Sequence, residues 1–599
     1  MIDFIKYVFA SAIGFVLVFV LLFFFGFILV VATSGDPEPV VRDNSVLYVK
    51  VSGSVPERMA QDPLQEILGT GNKAAPSLEN FEQNLQKAAV DERVKGVLME
   101  IDFVSTPWPV LQQMRRAMQD FREASGKFLY ATTNDIGFNE QGYYLATAAD
   151  SIYGQPAGLM QMSGFAVSQV FLEGALDKIG VQAEVVRRGK YKSAGDGFQR
   201  QDYSEADEEQ LRAIYDDIVE EFESAVAERS GMSRAELTEM LNQPPRLDIG
   251  YYAERGLLDD IMYMEELKAK IKQEIDLNEE LDLRMLANGS YARVSASNAG
   301  LESPPRESIA VIYANGAIMP KMDDGGLPFG QDDTINIQNM RESIDQAVND
   351  ANVKAIVLRI NSPGGAASTS DAIWNMLREA SEQKPVITSM AGVAASGGYY
   401  IGMGGDEIVA ERTTITGSIG VIGIQFNAQE LLEEELGMQY EEIKFHDNAN
   451  WLNPAKPLSP VQRRAFEEFI DIAYEDFLER VAESRDMSVE DVHEVAQGRV
   501  WSGTDAMEVG LVDAIGGLDD AIRLAAERAG IESYSIRRLP RPKTFIEQLA
   551  TAGQMQAARL FGPGINVPHQ RELEMAHYLL TEQKRPQAWA VMPHILEMK

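Results

Sequence analysis

The chain has 599 residues, 45% hydrophobic and 24% charged, a balance that supports a sizeable core and excludes wholesale disorder or a collagen-like repeat. At about 150 residues per domain the length allows roughly four domains or fewer large ones. Fifty-four Lys and Arg against 91 Asp and Glu leave a formal charge of -37 without a basic patch, which argues against nucleic acid as a partner. Cysteine is absent, so disulfides, thiolate metal sites and a cysteine nucleophile are excluded.

The first element, residues 7–32, is an uncharged apolar run of 26 residues. As a helix it reaches about 39 Å, enough to cross a hydrocarbon core of roughly 30 Å. It exceeds the apolar core of a cleavable signal and predicts an uncleaved anchor at residues 1–33. Lys6 before the run and Asp36 and Glu38 after it put the N-terminus in the cytoplasm and the bulk of the chain on the other side.

Past the anchor the same unit is written twice. VLYVKVSGSVPE from Val46 resembles IAVIYANGAIMP from Ile309, DERVKGVLMEID from Asp91 resembles DANVKAIVLRIN from Asp350, and GYYLATAAD from Gly142 resembles GYYIGMGGD from Gly398. ERSGMS from Glu228 and AERGLLDDI from Ala253 have counterparts in ESRDMS from Glu483 and AMEVGLVDAI from Ala506. The offsets stay between 253 and 263 residues, which predicts duplicated domains at 45–287 and 309–537. Residues 288–308, rich in Ser, Asn, Gly and Pro without apolar periodicity, read as a linker, and residues 538–599 as a tail with an amphipathic helix near 545–560. Inside the halves, β-branched runs such as 353–360 and 384–390 alternate with helical stretches such as 370–382, the pattern of α/β units with parallel strands. The acidic runs at 204–223, 433–435 and 459–484 read as solvated helix faces.

The copies differ where chemistry can sit. After its strand the second half has Asn361-Ser362-Pro363-Gly364-Gly365, where the first has Asp102-Phe103-Val104-Ser105-Thr106. Such a glycine pair makes a Pro-Gly turn or lets a backbone N–H approach a ligand closely. Ala394-Ala395-Ser396-Gly397-Gly398 sets Ser396 at a helix start, and the first half has Glu140 there. Serine commonly caps a helix at this position, and a nucleophile there gains from the helix N–H groups. Thr416-Gly417-Ser418-Ile419-Gly420 is a third small-residue loop, opposite Met162 of the first half. Conversely, the first half carries Lys192 within Gly189-Lys190-Tyr191-Lys192-Ser193-Ala194-Gly195, and the second has Asn448 there. A lone lysine is ordinarily a surface residue, but here each half lacks what the other has.

The NSPGG, AASGGYY and TGSIG motifs, the YKSA of the first half, the duplication and the apolar N-terminus together resemble the long form of the signal peptide peptidase A family, also called protease IV, a membrane-bound serine protease family. The resemblance runs from Met1 to about Arg537. It implies two tandem α/β domains of the Clp protease and crotonase type. Ser396 is then the nucleophile, Lys192 the general base and Ser418 the hydroxyl that orients the lysine amine. The N–H groups of Gly365 and Gly397 form the oxyanion hole, and no metal or cofactor takes part. The resemblance further implies a homotetramer in a bacterial inner membrane, single-pass, with its catalytic part on the periplasmic side. Its substrates would be signal peptide remnants and other short hydrophobic peptides.

A lysine can serve as base only when neutral, which requires its pKa to fall by roughly three units from about 10.4, a cost near 4 kcal/mol that burial can impose. His446, followed by Asp447, and Lys190 stand as alternative bases close in sequence or register. Two other functions compete. An acyl-CoA enzyme of crotonase type shares a glycine-backed oxyanion site, but the anchor argues against it. A non-catalytic membrane scaffold is opposed by the intact Ser396 and Lys192.

Overall fold

Long runs of β-branched and aliphatic residues, too apolar to alternate, make strands that are buried on both faces and covered by amphipathic helices. The computed structural model describes residues 38–58, 76–134, 137–302, 305–320, 334–541 and 589–591, with Gly14, Phe15 and Gly26. Those three residues apart, the expected anchor lies outside the described residues, as does the expected helix near 545–560. Among the described residues no helix is long and apolar enough to cross a membrane.

In the first half β1 (Ser45–Gly53), β2 (Val94–Val104), β3 (Phe128–Thr132) and β4 (Ser151–Gly154) lie side by side, while β5 (Gln182–Arg188) departs from them. With β6 (Asp260–Ile261) and β7 (Arg284–Ala287) they form a parallel sheet in the order β6-β4-β3-β2-β1-β7. The second half follows with β8 (Ser308–Asn315), β9 (Ala317–Ile318), β10 (Thr334–Ile335), β11 (Val353–Ser362), β12 (Gly364–Ala366), β13 (Val386–Ala395), β14 (Glu407–Ala410), β15 (Ile415–Gly417), β16 (Val421–Asn427), β17 (Val500–Trp501), β18 (Ala514–Ile515) and β19 (Ser535–Leu539). Its main sheet runs β17-β15-β13-β11-β8-β19, with β14 and β18 continuing from β13, and only β17 is antiparallel.

The duplication is written in hydrogen bonds as well as in sequence. Tyr143 Oη donates to the Leu257 carbonyl at 2.7 Å, and Tyr399 Oη to that of Leu511 at 3.0 Å. Lys127 Nζ donates to the carbonyls of Ala88 and Asp91, and Lys384 Nζ to those of Ala347 and Asp350. Asp150 accepts the Leu129 N–H and Asp406 the Val386 N–H, each near the start of the strand before it and at 2.7 Å in both copies.

A third sheet joins the halves. Its order is β10-β9-β12-β20-β16-β5, where β20 is Trp589–Val591. Here β5, from the first half, pairs antiparallel with β16 of the second from Arg188 opposite Val421 to Gln182 opposite Asn427. The pairing carries the residues after Arg188 into the second half. Arg188 anchors it by donating Nη2 to Asp471 Oδ2 at 2.8 Å, and Glu184 accepts from Arg463 and from the Leu458 N–H.

Ion pairs, one of them buried, fasten the same junction elsewhere. Arg116 of the first half reaches Glu411 at 2.7 Å and Asp520 at 2.9 Å. Arg359 on β11, fully buried, donates Nε to Glu57 Oε1 at 3.0 Å and Nη1 to Ser389 Oγ at 2.9 Å. Removing one partner of a buried pair strands the other charge, so Glu57→Ala is expected to lower stability by about 3 kcal/mol. An unchanged midpoint in urea unfolding would refute this.

Residues 288–308, marked as a linker by composition, are instead partly built into the first half. Asn288–Tyr291 is a helical turn, and Tyr291, Val294 and Ala299 are buried. The reason is a lysine cap: Lys87 Nζ donates to the Tyr291 carbonyl at 2.9 Å and to that of Val294 at 3.0 Å, while Tyr291 Oη donates to Asp91 at 3.1 Å. Small polar residues looked like punctuation, but their backbone carbonyls have a fixed donor.

Candidate active site

Three loops meet where β5 leaves the first half. β13 ends at Ala395, and Ser396 follows with φ 57° and ψ -116°, a conformation disfavoured for any residue with a Cβ, before the helix Gly397–Gly402 begins. Serine at a helix start reads as a cap, yet no capping hydrogen bond from its side chain is formed. Its N–H is instead held by the Gly417 carbonyl at 2.8 Å, which turns the side chain away from the helix backbone. The glycines after it are needed by contact: a Cβ on Gly398 would lie 2.6 Å from the Ser362 carbonyl, so the serine's helix rests directly on the Ser362-Pro363-Gly364-Gly365 turn.

Lys192 Nζ lies 2.7 Å from Ser396 Oγ, 3.0 Å from Ser418 Oγ and 2.9 Å from the Ser418 carbonyl oxygen. All three residues are fully buried. Burial alone drives the lysine pKa well below its ordinary value, because no carboxylate faces it to pay back the lost hydration. A neutral amine has two N–H bonds and one lone pair. With both N–H groups directed to Ser418, the lone pair is left for the Ser396 hydroxyl proton.

The lysine loop is braced from the second half by residues that sequence reasoning passed over. Tyr191 N–H donates to the Gln497 carbonyl at 2.9 Å, Ser418 N–H to the Arg499 carbonyl at 2.6 Å, and Gly498 N–H to that of Ile419 at 2.7 Å. Gly498, at φ +77°, packs on Lys192 so closely that a Cβ would meet the lysine Cβ at 2.6 Å and its N at 2.7 Å. Gln210 closes the brace by accepting from the Val500 N–H at 3.1 Å and donating to the Tyr191 carbonyl at 3.2 Å. The available signal was the Gln497-Gly498-Arg499 run at the end of a helix, which reads as an ordinary C-terminal stop. Gly498→Ala must push the lysine loop aside, and a displacement of about 1 Å can cost about a hundredfold in rate. We expect that loss in kcat with KM little changed, and steady-state kinetics on one peptide decides it.

The other expected residues fall around this centre. Gly397 opens the helix directly after Ser396, and Gly365 lies in β12, where a Cβ would sit 1.9 Å from the Ile318 carbonyl. Lys190 is exposed, with its amine 4.4 Å from the Tyr191 ring centre, and His446 is exposed; the hydrogen-bond partner of Ser396 Oγ is Lys192. In the first half the corresponding position is closed. Glu140 caps the Ser163 and Gly164 N–H groups at 2.5 and 3.0 Å, and Met162 is buried opposite Ser418's place. Among the described residues no group of three or more His, Asp or Glu is arranged to hold a metal ion.

Comparison with known proteins agrees with the duplication. The sequence profile of Peptidase family S49 matches residues 122–278 and again 378–532. The chain is 35% identical over 517 residues to the chloroplastic serine protease SPPA of Arabidopsis thaliana, covering 85% of this chain and 73% of that protein. It is 30% identical to Protease 4 of Salmonella typhi, covering 77% of this chain and 73% of the relative. Among solved structures, ClpP1 from Listeria monocytogenes matches with a TM-score of 0.22 at 15% identity, over 35% of this chain and 94% of its own. Two matched regions that together span more than half of the chain, with relatives similar over most of their length, make this protein a serine peptidase of family S49, of the signal peptide peptidase A or protease IV type.

Proposed function

We propose that Ser396 and Lys192 form a Ser/Lys dyad that hydrolyses peptide bonds through an acyl-enzyme. The observation that carries the reading is the fully buried amine 2.7 Å from a serine hydroxyl. The neutral amine takes the Ser396 proton as Oγ attacks the scissile carbonyl. The Gly365 and Gly397 N–H groups hold the resulting oxyanion, an arrangement in which one donor is worth about 2.7 to 4 kcal/mol in a measured case. The lysine ammonium then protonates the leaving amine, and water enters by the same path in reverse. Ser418 positions the amine through both its oxygens.

The proposed substrates are signal peptide remnants and other short hydrophobic peptides, in keeping with the uncharged run at residues 7–32, which would tether the site at a bilayer. Each half is read as a Clp protease and crotonase type of α/β unit, and a homotetramer on the periplasmic side of an inner membrane as the working form. A serine-directed fluorophosphonate tests the dyad. We expect it to label the native chain and the His446→Ala variant, but neither Ser396→Ala nor Lys192→Ala; equal labelling of all four would remove the dyad.

A further inference from the structure

Arg499 enters the site described above through its carbonyl, which takes the Ser418 N–H. Its side chain has no part in that chemistry, yet it lies on the residue next to the base. The guanidinium carbon sits 5.1 Å from the ring centre of Tyr191 and 4.2 Å from that of Trp501, within cation–π range of both. Nη1 donates to Glu209 Oε1 at 2.9 Å and to Tyr191 Oη at 3.3 Å, and Tyr191 Oη donates in turn to Glu209 Oε1 at 3.0 Å. Glu209 stands on the helix Glu205–Ser230 of the first half, so the three side chains close a ring across the junction.

The second aromatic contact leads to the nucleophile. Trp501 lies on β17, which pairs with β15, and a Cβ on Gly417 would meet the indole Cδ1 at 2.8 Å. The Gly417 carbonyl is the group that holds the Ser396 N–H. Arg499 thus bears on the loops of Lys192, Ser418 and Ser396 without hydrogen-bonding to a reacting atom. Further charged neighbours are Lys190, its amine 4.4 Å from the Tyr191 ring centre, and Asp505. The Glu209 side chain is 53% exposed, and an ion pair so open to water adds little to global stability. It can hold a local geometry, because a planar guanidinium stacked on two rings and paired with a carboxylate has few other poses.

We infer that Arg499, paired with Glu209 and stacked on Tyr191 and Trp501, is a positioning residue that keeps the lysine loop closed over the dyad. The inference rests on the Ser/Lys reading for its effect on rate, while closure of the loop is measured without turnover. Burial alone depresses the Lys192 pKa, so water admitted by a loosened loop raises it again and moves activity to higher pH. Were Arg499 and Glu209 to act on the amine through space, removing these two opposite charges would move it in opposite directions.

The experiment compares the full-length native chain with Arg499→Gln, Glu209→Gln and the double variant. Two quantities are measured: the rate at which the fluorophosphonate labels Ser396 from pH 6 to 10, and amide exchange at residues 190–193. We expect both single variants to label about tenfold more slowly near neutral pH, a fraction of the hundredfold that a displacement of about 1 Å can cost. Their pH profiles should move upward by about one unit, with rates converging on the native value at high pH. The double variant should match Arg499→Gln, because the pair acts as a unit. Exchange at residues 190–193 should quicken in all three. Unchanged exchange, or shifts of opposite sign in the two single variants, would overturn the inference. A loss of rate that is uniform across pH would overturn it too, as the mark of a merely structural residue. Failure of the native chain to label would count against the dyad and leave amide exchange to decide the clamp. Should Arg499→Gln fail to fold, Glu209→Gln, at its half-exposed helix position, carries the same two readouts.

Discussion

Ser396→Ala is expected to lower peptide hydrolysis by about 10⁵-fold or more, the range found when the nucleophile of a serine protease is removed. The loss falls on kcat because the hydroxyl makes no demand on ground-state binding. The backbone around it is held by others: the Gly417 carbonyl takes the Ser396 N–H, and Gly398 rests on Ser362. Ser396→Ala therefore keeps its thermal midpoint within a degree or two of the native chain. Its strained φ of 57° persists with alanine and is relieved by glycine, so Ser396→Gly should be equally inactive and more stable by about 1 kcal/mol. Hydrolysis of one apolar peptide, paired with calorimetry on the three proteins, separates these effects. Activity within tenfold of native in either variant would sink the assignment.

Lys192→Met is the second large effect, and its sign differs between activity and stability. Without the amine, turnover should fall by about 10⁴-fold, the upper range for a general base. Lys192→Arg should not restore it, because guanidinium stays charged. Stability moves the other way. The lysine pKa is depressed in the folded protein and ordinary in the unfolded chain, so between those two values the unfolded chain binds one more proton. The native protein therefore gains stability as pH rises through this window, by up to about 1.36 kcal/mol per pH unit, until about pH 10.4, where the penalty has vanished. Lys192→Met has no such penalty. It should be more stable than the native chain near neutral pH, and the gap should close as pH approaches 10.4. Urea midpoints of the two proteins from pH 6 to 10 measure this, and parallel curves would exclude a buried, neutral lysine. The activity profile follows the same titration, with kcat/KM rising with pH as the amine loses its proton.

The sequence carried the duplication and the strand–helix alternation because both are periodic, and periodicity survives without knowledge of what packs on what. It also singled out Ser396, Ser418 and Lys192, which the fold brings within hydrogen-bond distance of one another, because one copy kept what the other replaced with Glu140, Met162 or Asn448. The Gln497-Gly498-Arg499 brace was hidden. Its value lies in contacts to Lys192 and Ser418, about 306 and 80 residues away in the chain, and a glycine after a helix gives no hint of a partner so distant. The packing of residues 288–301 was hidden for a related reason, since Lys87, which holds it, sits two hundred residues earlier in a helix where it reads as surface. The acidic stretches at 204–223 and 459–484 do lie on helices, Glu205–Ser230 and Pro460–Arg485, whose apolar faces are buried.

The pairing of β5 with β16 has a consequence for the order of events during synthesis. Lys192 leaves the ribosome about two hundred residues before Ser396, and the strand that places it has no partner edge until Val421–Asn427 has emerged. Until then the proposed base has no serine to deprotonate, and the brace at Gly498 arrives later still. Neither half synthesised alone contains both residues of the proposed dyad. On the proposed mechanism a translation product cut short before the second half is finished is expected to be inert, and activity to appear only once nearly the whole protein is made.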